Sequence, residues 1–140
     1  MTILDTNVVS ALMNDPPEPR VVGWLDREVQ SSIWTTSITV LEIHTGLQLM
    51  PAGKWQSKLS EVFDLFLDGI DHRVAVFDEE SGRAAANLTA LRRKNGRAGD
   101  LRDTMIAGIV LARHAIFATR NMAHFSDVSA TIVNPWDQRP

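Results

Sequence analysis

Short apolar runs rich in β-branched or aromatic residues alternate along this chain with longer stretches of helical period. That alternation argues for a parallel sheet carrying helices on its faces. The strands expected are residues 3–4, 33–35, 74–77, 116–119 and 131–133, each bounded by polar or turn residues. The helices expected are residues 8–13, 19–30, 38–49, 55–67, 79–94 and 101–113, several with apolar residues at i, i+3, i+4 and i+7. In the second of these, Val21, Val22, Leu25 and Val29 make the stripe to be buried. The fifth stops at Asn95-Gly96, where glycine takes the left-handed conformation without strain. The fold class is therefore α/β, with about five short parallel strands flanked by helices. There is no internal repeat, and the proline-rich stretch at 15–19 is too short and too early to separate domains, so residues 1–140 read as one domain. A chain of this length buries about two-thirds of its unfolded surface and needs no disulfide or structural metal as a staple.

Composition narrows the function. The absence of cysteine excludes disulfides, thiolate zinc sites, iron–sulfur clusters and a cysteine nucleophile, and it fits a reducing cytoplasm. The start, Met1-Thr2-Ile3-Leu4-Asp5, has no basic stretch, and no apolar run approaches the roughly 18 residues of a membrane span. A cytoplasmic protein with no membrane partner is expected. Fourteen Lys and Arg against seventeen Asp and Glu give a net charge of -3, which excludes a dedicated nucleic-acid wrapper and confines any such contact to a local patch.

Three acids interrupt positions where apolar residues belong. Asp5 follows Ile3-Leu4 at the end of the first strand and precedes the first helix. In parallel α/β sheets ligands bind outside the carboxyl ends of the strands, so an acid there is placed for chemistry. Taken alone, though, Asp5 or Asn7 reads first as the cap of the helix that follows. Glu42 shares a helical face with Ile38, Leu41, Thr45 and Leu49, unless Thr39 begins that helix and Glu42 completes a capping box. Asp103 shares a face with Ile106, Ala107 and Val110, although Asp100 could cap that helix and leave Asp103 in its first turn. The fourth strand ends at Thr119-Arg120-Asn121. If the first and fourth strands are central and parallel, Asp5 and Asn121 lie on one sheet edge, with Glu42 and Asp103 reaching it from helix starts. Three clustered carboxylates repel one another unless a divalent cation neutralises them, and an all-oxygen set suits Mg2+ or Mn2+. His44, His72, His114 and His124 show no ligand spacing and are expected as surface or packing residues.

Leu4-Asp5-Thr6-Asn7, Leu41-Glu42-Ile43, Asp103-Thr104-Met105-Ile106-Ala107, Ala118-Thr119-Arg120-Asn121 and Asn134-Pro135-Trp136 follow one another across nearly the whole chain. Together they resemble the motifs of PIN-domain proteins, and more narrowly those of the VapC- and FitB-type toxins of bacterial toxin–antitoxin pairs. The resemblance implies a PIN fold and a metal-dependent ribonuclease whose acids are Asp5, Glu42 and Asp103. It also implies a cognate antitoxin, a toxin homodimer and a larger toxin–antitoxin assembly. Asn121 stands where many such proteins carry a fourth acid and others an asparagine. His124 precedes Phe125 where an Asp-Phe pair is frequent.

Phosphodiester hydrolysis requires a nucleophile made from water at neutral pH and stabilisation of the leaving oxygen, which one or two divalent ions supply. The expected set is Asp5, Glu42, Asp103 and Asn121, supported by hydrogen bonds from Thr6, Asn7 and Thr119. Arg92, Arg93, Lys94, Arg97 and Arg102, against the single acid Asp100, form the phosphate-binding candidate for an RNA substrate. Trp24, Trp34, Trp55 and Trp136 are scattered and read as packing residues, with Trp24 a candidate for subunit or antitoxin contact. The rival readings are a non-catalytic binding module of the same fold and a metal-dependent DNA nuclease or phosphatase.

Overall fold

The structure, a computed structural model, describes residues 1–137; residues 138–140 of the expected domain lie outside the described residues. Five strands form one parallel sheet: β1 (Thr2–Leu4), β2 (Ile33–Thr36), β3 (Val74–Ala75), β4 (Ile116–Ala118) and β5 (Ile132–Val133). Their spatial order is β3-β2-β1-β4-β5, so β1 is central and the chain leaves it in one direction first and returns on its other side later. Thr2, Ile3 and Leu4 of β1 pair with Ile116, Phe117 and Ala118 of β4. The crevice at the carboxyl ends of β1 and β4 is thus the switch point where α/β sheets place their ligands.

Six helices cover the sheet: α1 (Thr6–Met13), α2 (Pro19–Asp26), α3 (Ser37–Leu49), α4 (Lys54–Gly69), α5 (Glu79–Lys94) and α6 (Leu101–Ala112). Side chains alternate across β1: Leu4 packs with Val8, Val9, Val21, Ile43 and Phe63 on one face. Ile3 packs with Ile106, Ile109, Val110 and Phe117 on the other. Two cores therefore sandwich the sheet, as the two-step period of a strand demands. Each strand buries little surface alone, and the helices that follow supply most of it.

Two expected elements are shorter than their apolar patterns. α2 ends at Asp26, and Val29 is exposed, because the buried face turns on Val21 and Trp24 rather than on Val29. Trp24 is 4% exposed inside the core, which corrects its expected role as a contact for a subunit or antitoxin. β3 stops at Ala75 since its neighbour β2 offers Thr36 as the last partner, and Val76 beyond it is exposed.

α6 is held against α5 by backbone proximity. A Cβ at Gly108 would strike the carbonyl oxygen of Ser81 and approach the Ala85 Cβ to 2.9 Å. α5 ends in a Schellman motif, in which the Gly96 and Arg97 N–H groups bond the carbonyls of Arg93 and Arg92 and Gly96 has φ +69. We expect Gly108→Ala to destabilise the fold by about 1–3 kcal/mol in chemical denaturation, against the roughly 1 kcal/mol that alanine gains in helix propensity. An unchanged midpoint would mean that α5 and α6 separate freely.

Candidate active site

Asp5 stands at the carboxyl end of β1, still tied to the ladder by its N–H, which donates to the Ala118 carbonyl at 2.9 Å. Its carboxylate caps α1 by accepting from the Thr6 N–H at 2.8 Å, so the capping alternative is realised. Capping does not exhaust it. The second oxygen accepts from the Thr119 hydroxyl at 2.7 Å and from the Asn7 amide at 3.3 Å. Only 4% of Asp5 is exposed. Burial pushes its carboxyl up to about 6, against the pull of the Thr119 and Thr6 hydrogen bonds and with a smaller push from Asp103 and Glu42.

Glu42 is not in a capping box: Thr36 caps α3, accepting from the Thr39 N–H, and the helix starts at Ser37. Of the face expected for Glu42 only Ile38 is buried, since Leu41, Thr45 and Leu49 are exposed and α3 buries Ile38, Thr39, Ile43 and Leu47. Glu42 borders that buried stripe and faces α1. The Thr6 hydroxyl donates to its Oε1 at 2.9 Å. Thr6 is 3.0 Å from the Thr39 hydroxyl, and Thr36 donates to Thr39 at 3.3 Å, so three hydroxyls point their protons in sequence towards the Glu42 charge.

Asp103 sits in the first turn of α6, its N–H donating to the capping Asp100 at 3.1 Å. Its Oδ2 lies 3.4 Å from His124 Nδ1, which brings His124, read by its spacing as a surface or packing residue, to the flank of the site. The Asn121 N–H donates to Thr119 Oγ1 at 3.1 Å. Asp5, Glu42, Asp103 and Asn121, with Thr6 and Asn7, line one pocket of about 230 Å3. Among the described residues no three of the His, Asp and Glu side chains form a ready-made ligand cage. The carboxylates face a common space without closing on one point.

The basic run separates into two groups. Arg92 is 5% exposed and cannot serve as a surface phosphate contact, a correction to its expected role. Its Nε and Nη2 donate to the two Asp127 oxygens at 2.8 and 2.9 Å, its Nη1 to Thr104 and its Nη2 also to the His124 carbonyl. Hydrogen bonding and charge from Arg92 hold the Asp127 carboxyl below its ordinary value, while Asp127 raises the guanidinium. Gly99 leaves room for this arginine, whose Nη1 would stand 2.6 Å from a Cβ there. Arg93, Lys94, Arg97 and Arg102 remain exposed. Arg97 loosely meets Asp127 at 3.4 Å, and Arg102 Nη1 stands 3.9 Å from Glu42 across the pocket rim.

Sequence reasoning did not single out Ser10, which also lines the pocket; its spacing of four from Thr6 on α1 was the available signal. Thr36 and Thr39 were also missed as partners in the Glu42 network. Arg120, whose guanidinium lies 4.9 Å from the Trp136 ring, was unremarked as well.

A switch-point crevice lined by three acids defines an α/β protein built for polar chemistry at its sheet edge. The sequence profile of the PIN domain matches residues 2–130, and the chain belongs to the PIN-domain family. It is 36% identical over 138 residues to plasmid stability protein StbB of Pseudomonas syringae pv. tomato, covering 98% of this chain and 99% of that one. It is 33% identical over 142 residues to VapC ribonuclease Y4jK of Sinorhizobium fredii, again covering 98% and 99%. From Neisseria gonorrhoeae, toxin FitB is 30% identical, covering 97% and 99%. The crystal structure of FitAcB from that organism superposes with a TM-score of 0.90 at 29% identity, covering 99% of this chain and 100% of the other.

Asp5 binds its proton more tightly folded than unfolded, so its contribution to stability is full below about pH 4 and is lost as pH rises through about 6. Relative to wild type, Asp5→Asn should therefore gain roughly 1–3 kcal/mol between pH 4 and pH 7 in chelating buffer, read by denaturant unfolding. A difference that does not change with pH would show that the buried carboxyl is not strained by its charge.

Proposed function

We propose that this chain is a metal-dependent endoribonuclease, the toxin of a toxin–antitoxin pair, acting on RNA phosphodiester bonds at a site that holds Mg2+ or Mn2+. The observation that carries the reading is that Asp5, Glu42, Asp103 and Asn121, spread over more than a hundred residues, line one pocket at the carboxyl ends of β1 and β4. Its donor set is all oxygen apart from the asparagine nitrogen and suits a hard cation. Asp5 fits such a guest, because burial beside Asp103 and Glu42 makes its ionised form costly without one. Because no three acids among the described residues close into a cage, an ion held here would keep several of its waters. The relatives named ribonuclease and toxin point the same way.

Bound there, the cation would generate the attacking water and neutralise the leaving oxygen. The chain's own residues set the stage for that chemistry. Thr119, Asn7 and the Thr6 N–H fix both oxygens of Asp5, and the Thr36–Thr39–Thr6 hydroxyls fix one oxygen of Glu42, leaving Oε2 directed to the rim near Arg102. Asp103 is oriented by its place on α6, with His124 beside it. Exposed Arg93, Lys94, Arg97 and Arg102 bind RNA phosphates without regard to sequence. The compartment proposed is the cytoplasm, where an RNA substrate is met. Among the described residues no helix is long and apolar enough to cross a membrane. The partners are RNA, a cognate antitoxin and a second copy of the toxin within a toxin–antitoxin assembly.

A second reading, a PIN-fold binding module without catalysis, draws on the amide at Asn121 and on the loose carboxylate spacing. One set of assays separates them, using RNA, DNA and bis(p-nitrophenyl) phosphate with Mg2+ or Mn2+ and with chelator. We expect metal-dependent cleavage of RNA. Asp5→Asn and Asp103→Asn should each lose more than about a hundredfold in rate, beyond what an outer-shell contact costs, while remaining folded. Added Mg2+ should raise the melting temperature of wild type and not of Asp5→Asn. Activity undiminished in both variants sinks the mechanism, and metal binding without cleavage of any substrate selects the binding module. Arg93→Glu combined with Arg97→Glu should weaken RNA binding and flatten its salt dependence by roughly 0.7 in log–log slope per lost contact; an unchanged slope removes this patch from the interface.

A further inference from the structure

The acidic pocket adjoins several concavities, of which the one beyond Thr6, Ser10 and Glu42 is lined largely by the apolar residues of α1, α3 and α4. Through Asp103 the acidic pocket opens onto a hollow of about 190 Å3 lined by Arg97 and His124. Through Asn7 and Ser10 it opens in the other direction onto a polar hollow of about 350 Å3, bounded by Asn14, Glu18, Arg120 and Trp136. The second hollow belongs to none of the roles assigned so far. Its cation is held ready: Arg120 follows Thr119 directly, its N–H donates to Asn7 Oδ1 at 3.2 Å, and its guanidinium lies 4.9 Å from the Trp136 ring. Trp136 is 8% exposed and therefore a fixed platform. Arg120 itself is exposed, and among the described residues its guanidinium makes no hydrogen bond and no ion pair. Glu18, the acid on the rim, accepts from the Arg20 Nε at 2.9 Å, and the Arg120 charge reaches it more weakly. The hollow thus offers an oriented cation, only partly offset by the Glu18 charge, together with the amide of Asn14 and the hydroxyl of Ser10.

The geometry points to a nucleotide subsite: Arg120, stacked on Trp136, binds the RNA phosphate beyond the scissile one, and Asn14 and Ser10 meet the nucleoside attached to it. The inference rests on the ribonuclease reading and adds to it the path of the substrate. A planar guanidinium held by an aromatic face keeps its fork of N–H donors free for a phosphate at small entropic cost. Cations on both sides of the acids, Arg97 in one direction and Arg120 in the other, suit a chain that continues past the site at both ends. A terminal phosphate would require only one of them.

The test is the binding of a fluorescein-labelled single-stranded oligouridylate to the full chain in chelating buffer, followed by anisotropy across a salt series. Arg120→Ala should raise the dissociation constant about 5- to 10-fold and lower the log–log salt slope by roughly 0.7, the value for one lost contact to a single strand. Arg120→Lys should restore the slope and only part of the affinity, because the charge returns without the planar fork. A purely structural role would leave the slope unmoved and would show as a lower melting temperature. If wild type binds the oligonucleotide and Arg120→Ala matches it in both affinity and slope, the subsite is wrong and the ribonuclease reading stands. If wild type neither binds nor cleaves RNA, both fall together.

Discussion

The 2.7 Å hydrogen bond from Thr119 to Asp5 joins the carboxyl ends of β1 and β4, and the site is arranged around it. One strand end contributes a buried acid and the other the hydroxyl that makes burial tolerable. The same hydroxyl accepts from Asn121 and from the Asn7 amide, so the loop after β4 and the first turn of α1 meet at a single oxygen. Parallel pairing of Leu4 with Ala118 sets this meeting in register. A one-residue slip of either strand would turn its own residue, Leu4 or Ala118, to the opposite core and separate Asp5 from its partners.

A second anchor holds the far side of the pocket. The Arg92–Asp127 pair lies behind α6, bonds Thr104 next to Asp103, and takes the carbonyl of His124. Removing one partner of such a pair strands a charge away from water and typically costs several kcal/mol. The pair acts with the Schellman cap of α5, because Arg92 contributes its carbonyl to the cap and its side chain to the pair. The loop from 95 to 100 is thereby tied at its base while Arg97 projects from it. A rigid root and an exposed cation fit the RNA contact proposed for this patch.

Much of this was legible in the sequence, and the rest failed for identifiable reasons. All five strands fall where short β-branched runs occur, since a buried parallel strand must be apolar on both faces. Acids at the ends of such runs and at helix starts are equally visible. The face of α3 was misjudged because Leu41 and Leu49 are apolar yet exposed, and a pattern count cannot tell an exposed leucine from a buried one. Arg92 looked like one more solvated cation in a basic run; its partner lies 35 residues away, and only the packing of α6 against α5 brings the two together. Arg120 depends likewise on the turn at Pro135–Asp137, which delivers Trp136 from the far end of the described chain.

Asp5 is both a helix cap and a pocket acid, and the two employments answer to different kinds of selection. A PIN-domain chain that cleaves nothing would still need an oxygen at that position to start α1, whereas Glu42, bonded among the described residues through Thr6 and a distant Arg102, would be free to drift. The first motif is therefore a poor witness to whether a related chain is still an enzyme. The glutamate of α3 is the better one.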